Sequence, residues 1–92
     1  MPALRLRIFG RVQGVGYRAF VADEARRIGL GGWVRNRADG SVEAVVAGDD
    51  ATIATMIAAC RCGPRFAAVE RIEEAPCEEA GLPVEFAIRP TV

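Results

Sequence analysis

Residues 4–18 read LRLRIFGRVQGVGYR. Leu4, Leu6, Ile8 and Val12 fall on one side of an extended chain and Arg5, Arg7 and Arg11 on the other, the alternation of a half-buried strand from Leu4 to Val12. Gly10, Gly14 and Gly16 interrupt it, and the period then changes. Val21, Ala25 and Ile28 recur at helical spacing with Phe20 beside them, while Asp23, Glu24, Arg26 and Arg27 take the outer face. A strand therefore runs through a glycine-rich turn into an amphipathic helix over residues 18–28, which Gly29 ends.

Outward from this unit the pattern continues. Gly32 to Arg37 reads as a second strand, and Ser41 to Ala47 alternates again through Val42, Ala44 and Val46. Asp39-Gly40 between the two runs is a hairpin signal. Asp49 or Asp50 can cap a helix whose Ile53, Met56, Ile57 and Cys60 share a face, and Gly63-Pro64 ends it. A weaker run follows at Val69 to Glu74. Glutamate-rich turn material around Pro76 to Pro83 separates it from a last strand with Val84, Phe86 and Ile88.

The order is βαββαβ plus one short extra strand, so the expected class is α+β: a ferredoxin-like α/β sandwich, an antiparallel sheet with two helices on one face. Its topology makes the first two strands parallel, with the hairpin's return strand between them. The glycine turn and the end of the second strand, near Asn36, are thereby brought to one edge.

A chain of 92 residues suits a single domain, residues 1–92, burying roughly 60 to 70% of its unfolded surface. Half the residues are apolar (51%) and a quarter charged (26%), as in ordinary globular proteins. No apolar run approaches the roughly 18 residues of a membrane span. The start, MPALRLRIFG, is too often broken by arginine to be a signal peptide. A cytoplasmic location is expected, without membrane attachment. Three cysteines, Cys60, Cys62 and Cys77, do not suggest a disulfide framework.

Formal net charge is zero but uneven: residues 1–46 carry eight arginines against four acids (+4), and residues 47–92 four arginines against eight acids (−4). The basic half holds the glycine turn, so an anion would be drawn there. A turn entering a helix offers unpaired backbone N–H groups and the positive end of the helix dipole. Glycines after a strand often mark only a tight turn, and the spacing fits neither dinucleotide nor P-loop motifs. Arg18 adds weight to the anion reading. A guanidinium in the first helical turn opposes the dipole unless an anion lies between them, and it can grip a phosphate with two parallel hydrogen bonds.

Two longer motifs carry a resemblance. Gly10-Arg11-Val12-Gln13-Gly14-Val15-Gly16-Tyr17-Arg18 resembles the first acylphosphatase signature. Gly32-Trp33-Val34-Arg35-Asn36-Arg37-Ala38-Asp39-Gly40-Ser41-Val42, with Gly48 six residues on, resembles the second. The likeness extends over essentially the whole chain. Tyr17 is a departure, since the family more often has phenylalanine or methionine there. The resemblance implies hydrolysis of the carboxyl–phosphate anhydride of acyl phosphates to a carboxylate and inorganic phosphate. It implies a phosphate cradle of backbone N–H groups over Arg11, Val12, Gln13, Gly14, Val15 and Gly16. Arg18 and Asn36 are then the catalytic residues, Arg18 binding the phosphate and Asn36 orienting the attacking water.

With no histidine in the chain, no side chain is an obvious base, and the substrate's own phosphate can take the proton. Neither metal nor other cofactor is expected, because Cys60-x-Cys62 with Cys77 has the wrong spacing for zinc and lacks a histidine partner. Asp49-Asp50 reads as a helix cap, Glu73-Glu74 as a solvated strand end, and Trp33 as packing. Two other readings belong to the fold. An RNA-binding sheet should show clustered aromatics, but the first and third strands offer only Phe9. A module serving a larger carbamoyl-phosphate enzyme is at odds with a free-standing chain of this length. The expected partner is a small acyl phosphate, not nucleic acid, and the expected state a monomer; the acyl group itself is unspecified.

Overall fold

The computed structural model describes residues 2–92; Met1, the first residue of the expected domain, lies outside the described residues. The chain forms β1 (Ala3–Arg11), α1 (Tyr17–Arg27), β2 (Gly31–Asn36), β3 (Val42–Ala47), α2 (Asp50–Cys62), β4 (Ala68–Pro76) and β5 (Ala87–Ile88). The strands make one sheet in the order β4-β1-β3-β2-β5. β3 is antiparallel to both β1 and β2, pairing Leu6 with Ala44 and Val34 with Ala44. β1 and β2 therefore run parallel, and their C-terminal ends reach the same edge.

One expectation is corrected. The four long strands are antiparallel to their neighbours, but β5 joins β2 in parallel, pairing Trp33 with Ala87 and Val34 with Ile88, so the sheet is mixed. Only two residues pair there, whereas a strand was expected through Val84, Phe86 and Ile88; Val84 is almost fully exposed and Phe86 fills the core. The run expected to be weak is instead a nine-residue edge strand, β4. Its register against β1 shifts between Phe9 and Gly10: Phe9 faces Arg71 and Gly10 faces Val69, leaving Glu70 as the extra residue of a bulge.

Both helices pack on one face. Val21, Ala22 and Ala25 of α1 and Ile53, Met56 and Cys60 of α2 close over Leu6, Ile8, Val34, Ala44 and Val46 of the sheet. The Asp49 side chain caps α2, accepting from the Thr52 N–H at 2.7 Å. The other face carries arginines held by Glu43, a nearly buried carboxylate at the second residue of β3, the central strand of the sheet. Arg35 Nε and Arg37 Nη1 donate to Glu43 Oε1 at 2.8 and 3.1 Å. Arg5 Nε lies 3.2 Å from Oε2, near enough for charge attraction, although it makes no hydrogen bond. Arg35 and Arg37 flank Asn36, so strand alternation sends the Asn36 side chain to the helix face. Among the described residues no helix is long and apolar enough to cross a membrane.

Candidate active site

The segment between β1 and α1 turns on two glycines with left-handed backbone, Gly14 (φ 74°) and Gly16 (φ 77°). A side chain at either would strain the backbone, though neither position is crowded. Gly16 is the N-cap of α1, and no side chain caps the helix. The first intrahelical bond runs from the Phe20 N–H to the Gly16 carbonyl at 3.1 Å. The N–H groups of Tyr17, Arg18 and Ala19 thus have no intrahelical acceptor. No acid occupies the first turn of α1, where Arg18 instead places a cation. Donors and positive charge are concentrated here, and a bound anion would relieve both.

A cleft of about 260 Å³ opens at this edge, walled by Gln13, Gly14, Gly16 and Arg18 on one side and by Asn36 and Ile88 on the other. Val12, Tyr17 and Ala19 complete it. The volume lies just below the range typical of drug-sized ligand sites, which suits a small metabolite. Of the residues singled out in the sequence, Arg18, Asn36, Val12, Gln13, Gly14 and Gly16 meet in this cleft. Arg11 ends β1 with its side chain exposed, and Val15 packs against the core; neither side chain lines the cleft.

The Asn36 amide oxygen is buried and has no hydrogen-bond partner. An enclosed, unpaired acceptor is rare in a folded protein and marks a place where a water or ligand belongs. The backbone around it is well held. Asn36 pairs with Val42 across the hairpin, and its carbonyl accepts from the Val92 N–H at 3.2 Å.

Several contacts at the site had no sequence signal. The Gln13 side chain reaches across to the β2–β3 turn, donating to the carbonyls of Arg37 and Ser41 at 2.8 and 2.9 Å. The Tyr17 hydroxyl donates to the Cys60 carbonyl at 2.7 Å. Ile88, nearly half exposed, and Ala19 give the cleft an apolar rim. Burial pushes the Cys60 thiol up to about 11, so it is a neutral core group near pH 7. Among the described residues no three of Asp, Glu, Cys or His converge as a metal-ligand set. On the opposite face, Arg35 and Arg89 cover the Trp33 ring at 4.6 and 4.7 Å, and Arg7 and Arg71 cover Phe9 at 5.7 and 3.9 Å. Those rings already carry intramolecular stacking partners.

Comparison with known proteins agrees with the fold. Residues 4–88 match the family model for acylphosphatase. The acylphosphatase of Azorhizobium caulinodans is 55% identical over 89 residues, covering 97% of this chain and 96% of that protein. The crystal structure of acylphosphatase from Bacillus subtilis superposes with a TM-score of 0.91 at 36% identity, over 97% of this chain and 99% of the other. A crystal structure of full-length HypF in a phosphate- and nucleotide-bound form contains a similar unit: TM-score 0.87, 28% identity, 98% of this chain but 12% of that one. With a family match over nearly its full length and a relative more than half identical end to end, the chain belongs to the acylphosphatase family.

Proposed function

We propose that the cleft hydrolyses acyl phosphates without a metal, with Arg18 and the loop backbone from Arg11 to Gly16 holding the phosphoryl group and Asn36 holding the attacking water. Acyl phosphate hydrolysis is the activity of the family; the assignment of roles is our reading. The observation that carries it is that Arg18 and Asn36 line one cleft with the glycine loop, the Asn36 amide oxygen having no hydrogen-bond partner within the protein.

The chemistry needs little more than these groups. The water oxygen attacks phosphorus, the bond from phosphorus to the acyl oxygen breaks, and the carboxylate leaves with the electron pair. A proton of the water passes to a phosphate oxygen. A carboxylate is a good leaving group, so no strong acid is required. Catalysis then rests on positioning and on donors aimed at the phosphoryl oxygens. Arg18 supplies the positive charge that a metal ion provides in many phosphoryl-transfer enzymes.

The same reading has the chain act as a single cytoplasmic domain, 1–92, and a monomer, with a small molecule rather than nucleic acid as its partner. The cleft volume and the occupied faces of Phe9 and Trp33 support the small-molecule partner over nucleic acid.

Two substitutions test it on benzoyl phosphate, the simplest aromatic acyl phosphate. Arg18→Ala is expected to weaken inhibition by inorganic phosphate and to slow turnover. Asn36→Ala is expected to lower kcat by about 10² to 10³, as for loss of one preorganised polar group, with phosphate inhibition nearly unchanged. A folded Asn36→Ala with normal turnover, or Arg18→Ala binding phosphate like the parent, would overturn the assignment.

A further inference from the structure

We propose that the Gln13 side chain is a positioning residue for the hydrolytic water, bracing the phosphate loop against the turn that follows Asn36. The inference rests on the role assigned above to Asn36.

Gln13 lies in the loop that faces the phosphate, yet its amide nitrogen donates to two carbonyls 24 and 28 residues away, Arg37 at 2.8 Å and Ser41 at 2.9 Å. Both partners are acceptors only, so the NH₂ group must face them, and the amide cannot be turned over without losing both bonds. These carbonyls stand at the two ends of the β2–β3 turn. Each already accepts one backbone bond: Gly40 N–H to Arg37 at 3.1 Å, and Arg37 N–H to Ser41 at 2.8 Å. Gln13 fills the remaining acceptor site on each.

Asn36 is one peptide bond from Arg37, so a clamp on the Arg37 carbonyl also fixes where the Asn36 side chain starts. The other end of the clamp is the loop proposed to hold phosphorus. A single side chain thus spans the two halves of the reaction, the phosphoryl cradle and the water holder. Hydrolysis requires the water oxygen within about 3–3.5 Å of phosphorus, and a misplacement near 1 Å can cost about 10²-fold in rate.

The turn has other supports, so removing the brace need not unfold it. From the opposite face, Arg7 Nε donates to Ser41 Oγ at 2.9 Å and Arg7 Nη2 to Asp39 at 2.7 Å. Asp39 Oδ1 in turn accepts from the Ser41 N–H and hydroxyl.

The test is a double-mutant cycle of Gln13→Met and Asn36→Ala in the full chain, read by kcat on benzoyl phosphate and by inhibition with inorganic phosphate. Methionine keeps the length and removes the donor; Gln13→Asn, which keeps the amide but cannot reach, takes its place should Gln13→Met fail to fold. Gln13→Met is expected to lower kcat roughly 10- to 100-fold, with phosphate inhibition within about twofold of the parent, and to cost nothing further once Asn36 is alanine. Equal losses in both backgrounds, a matching loss of phosphate inhibition, or unchanged kcat would each overturn the proposal. If Asn36→Ala is impaired while Gln13→Met is not, only the brace fails. If Asn36→Ala turns over normally, the role of Asn36 fails and the brace falls with it.

Discussion

The Tyr17 hydroxyl donates to the Cys60 carbonyl at 2.7 Å, joining the first residue of α1 to the last turn of α2. Helix geometry would give that carbonyl the N–H of residue 64, but residue 64 is proline and has none. Tyr17 supplies the missing donor, and its ring packs beside Gly63 just beyond the helix end. Tyr17→Phe therefore leaves a buried carbonyl unpaired, at a cost of about 1–3 kcal/mol. Urea denaturation should show a lower midpoint with an unchanged slope. A midpoint equal to the parent's would mean that another donor reaches the carbonyl.

That bond also marks where reading the sequence stops. β1, α1, β2, β3 and α2 were legible to within a residue or two, because each buries one face and leaves the other polar. β4 was read too weakly for a physical reason. The bulge at Glu70 puts Val69 and Ile72, three apart rather than two, against the same core, so no period-2 pattern survives. β5 was read too generously, since Val84, Phe86 and Ile88 alternate without pairing along their length. Asn36 and Arg18 were brought together by topology alone, which the periodicity determines. The Gln13 and Tyr17 contacts join residues 24 to 43 positions apart. Nothing local in the chain encodes them.

Glu43 gives the fold an acid limit. Burial raises its carboxyl pKa, but the hydrogen bond from Arg35 and the charges of Arg35 and Arg37 outweigh that and hold it below the ordinary 4.5. A folded pKa lowered in this way means that the unfolded chain binds the proton more readily. The stabilisation is complete above about pH 4.5 and is lost as pH falls through the lower folded value. Glu43→Gln should cost about 1–3 kcal/mol near neutrality. Its deficit against the parent should shrink as pH drops from 5 towards 3. A deficit constant across that range would show that the charge of Glu43 contributes nothing.

Turnover is expected to survive exhaustive chelation, since Arg18 is assigned the charge a metal would bring. Benzoyl phosphate hydrolysis measured before and after chelation decides this. Activity that vanishes and returns with a divalent ion would place a metal in the reaction.

Gly16 and Gly29 offer a matched pair of substitutions. Their φ angles are 77° and 78°, and a methyl added at either meets no atom within 4 Å. Both lie at ends of α1, Gly16 at the N-cap and Gly29 just past the C-terminus. Alanine at either should therefore cost the same backbone strain, about 1–2 kcal/mol. They differ in where they sit. Gly16 lines the cleft and leads into the first turn with its free N–H groups, whereas Gly29 lies at the far end of the helix. Gly16→Ala should weaken phosphate inhibition and lower kcat/KM, and Gly29→Ala should change neither while losing similar stability. Thermal or urea unfolding with phosphate inhibition separates the two effects. Equal phosphate inhibition in both variants would mean that the start of α1 does not hold the phosphoryl group.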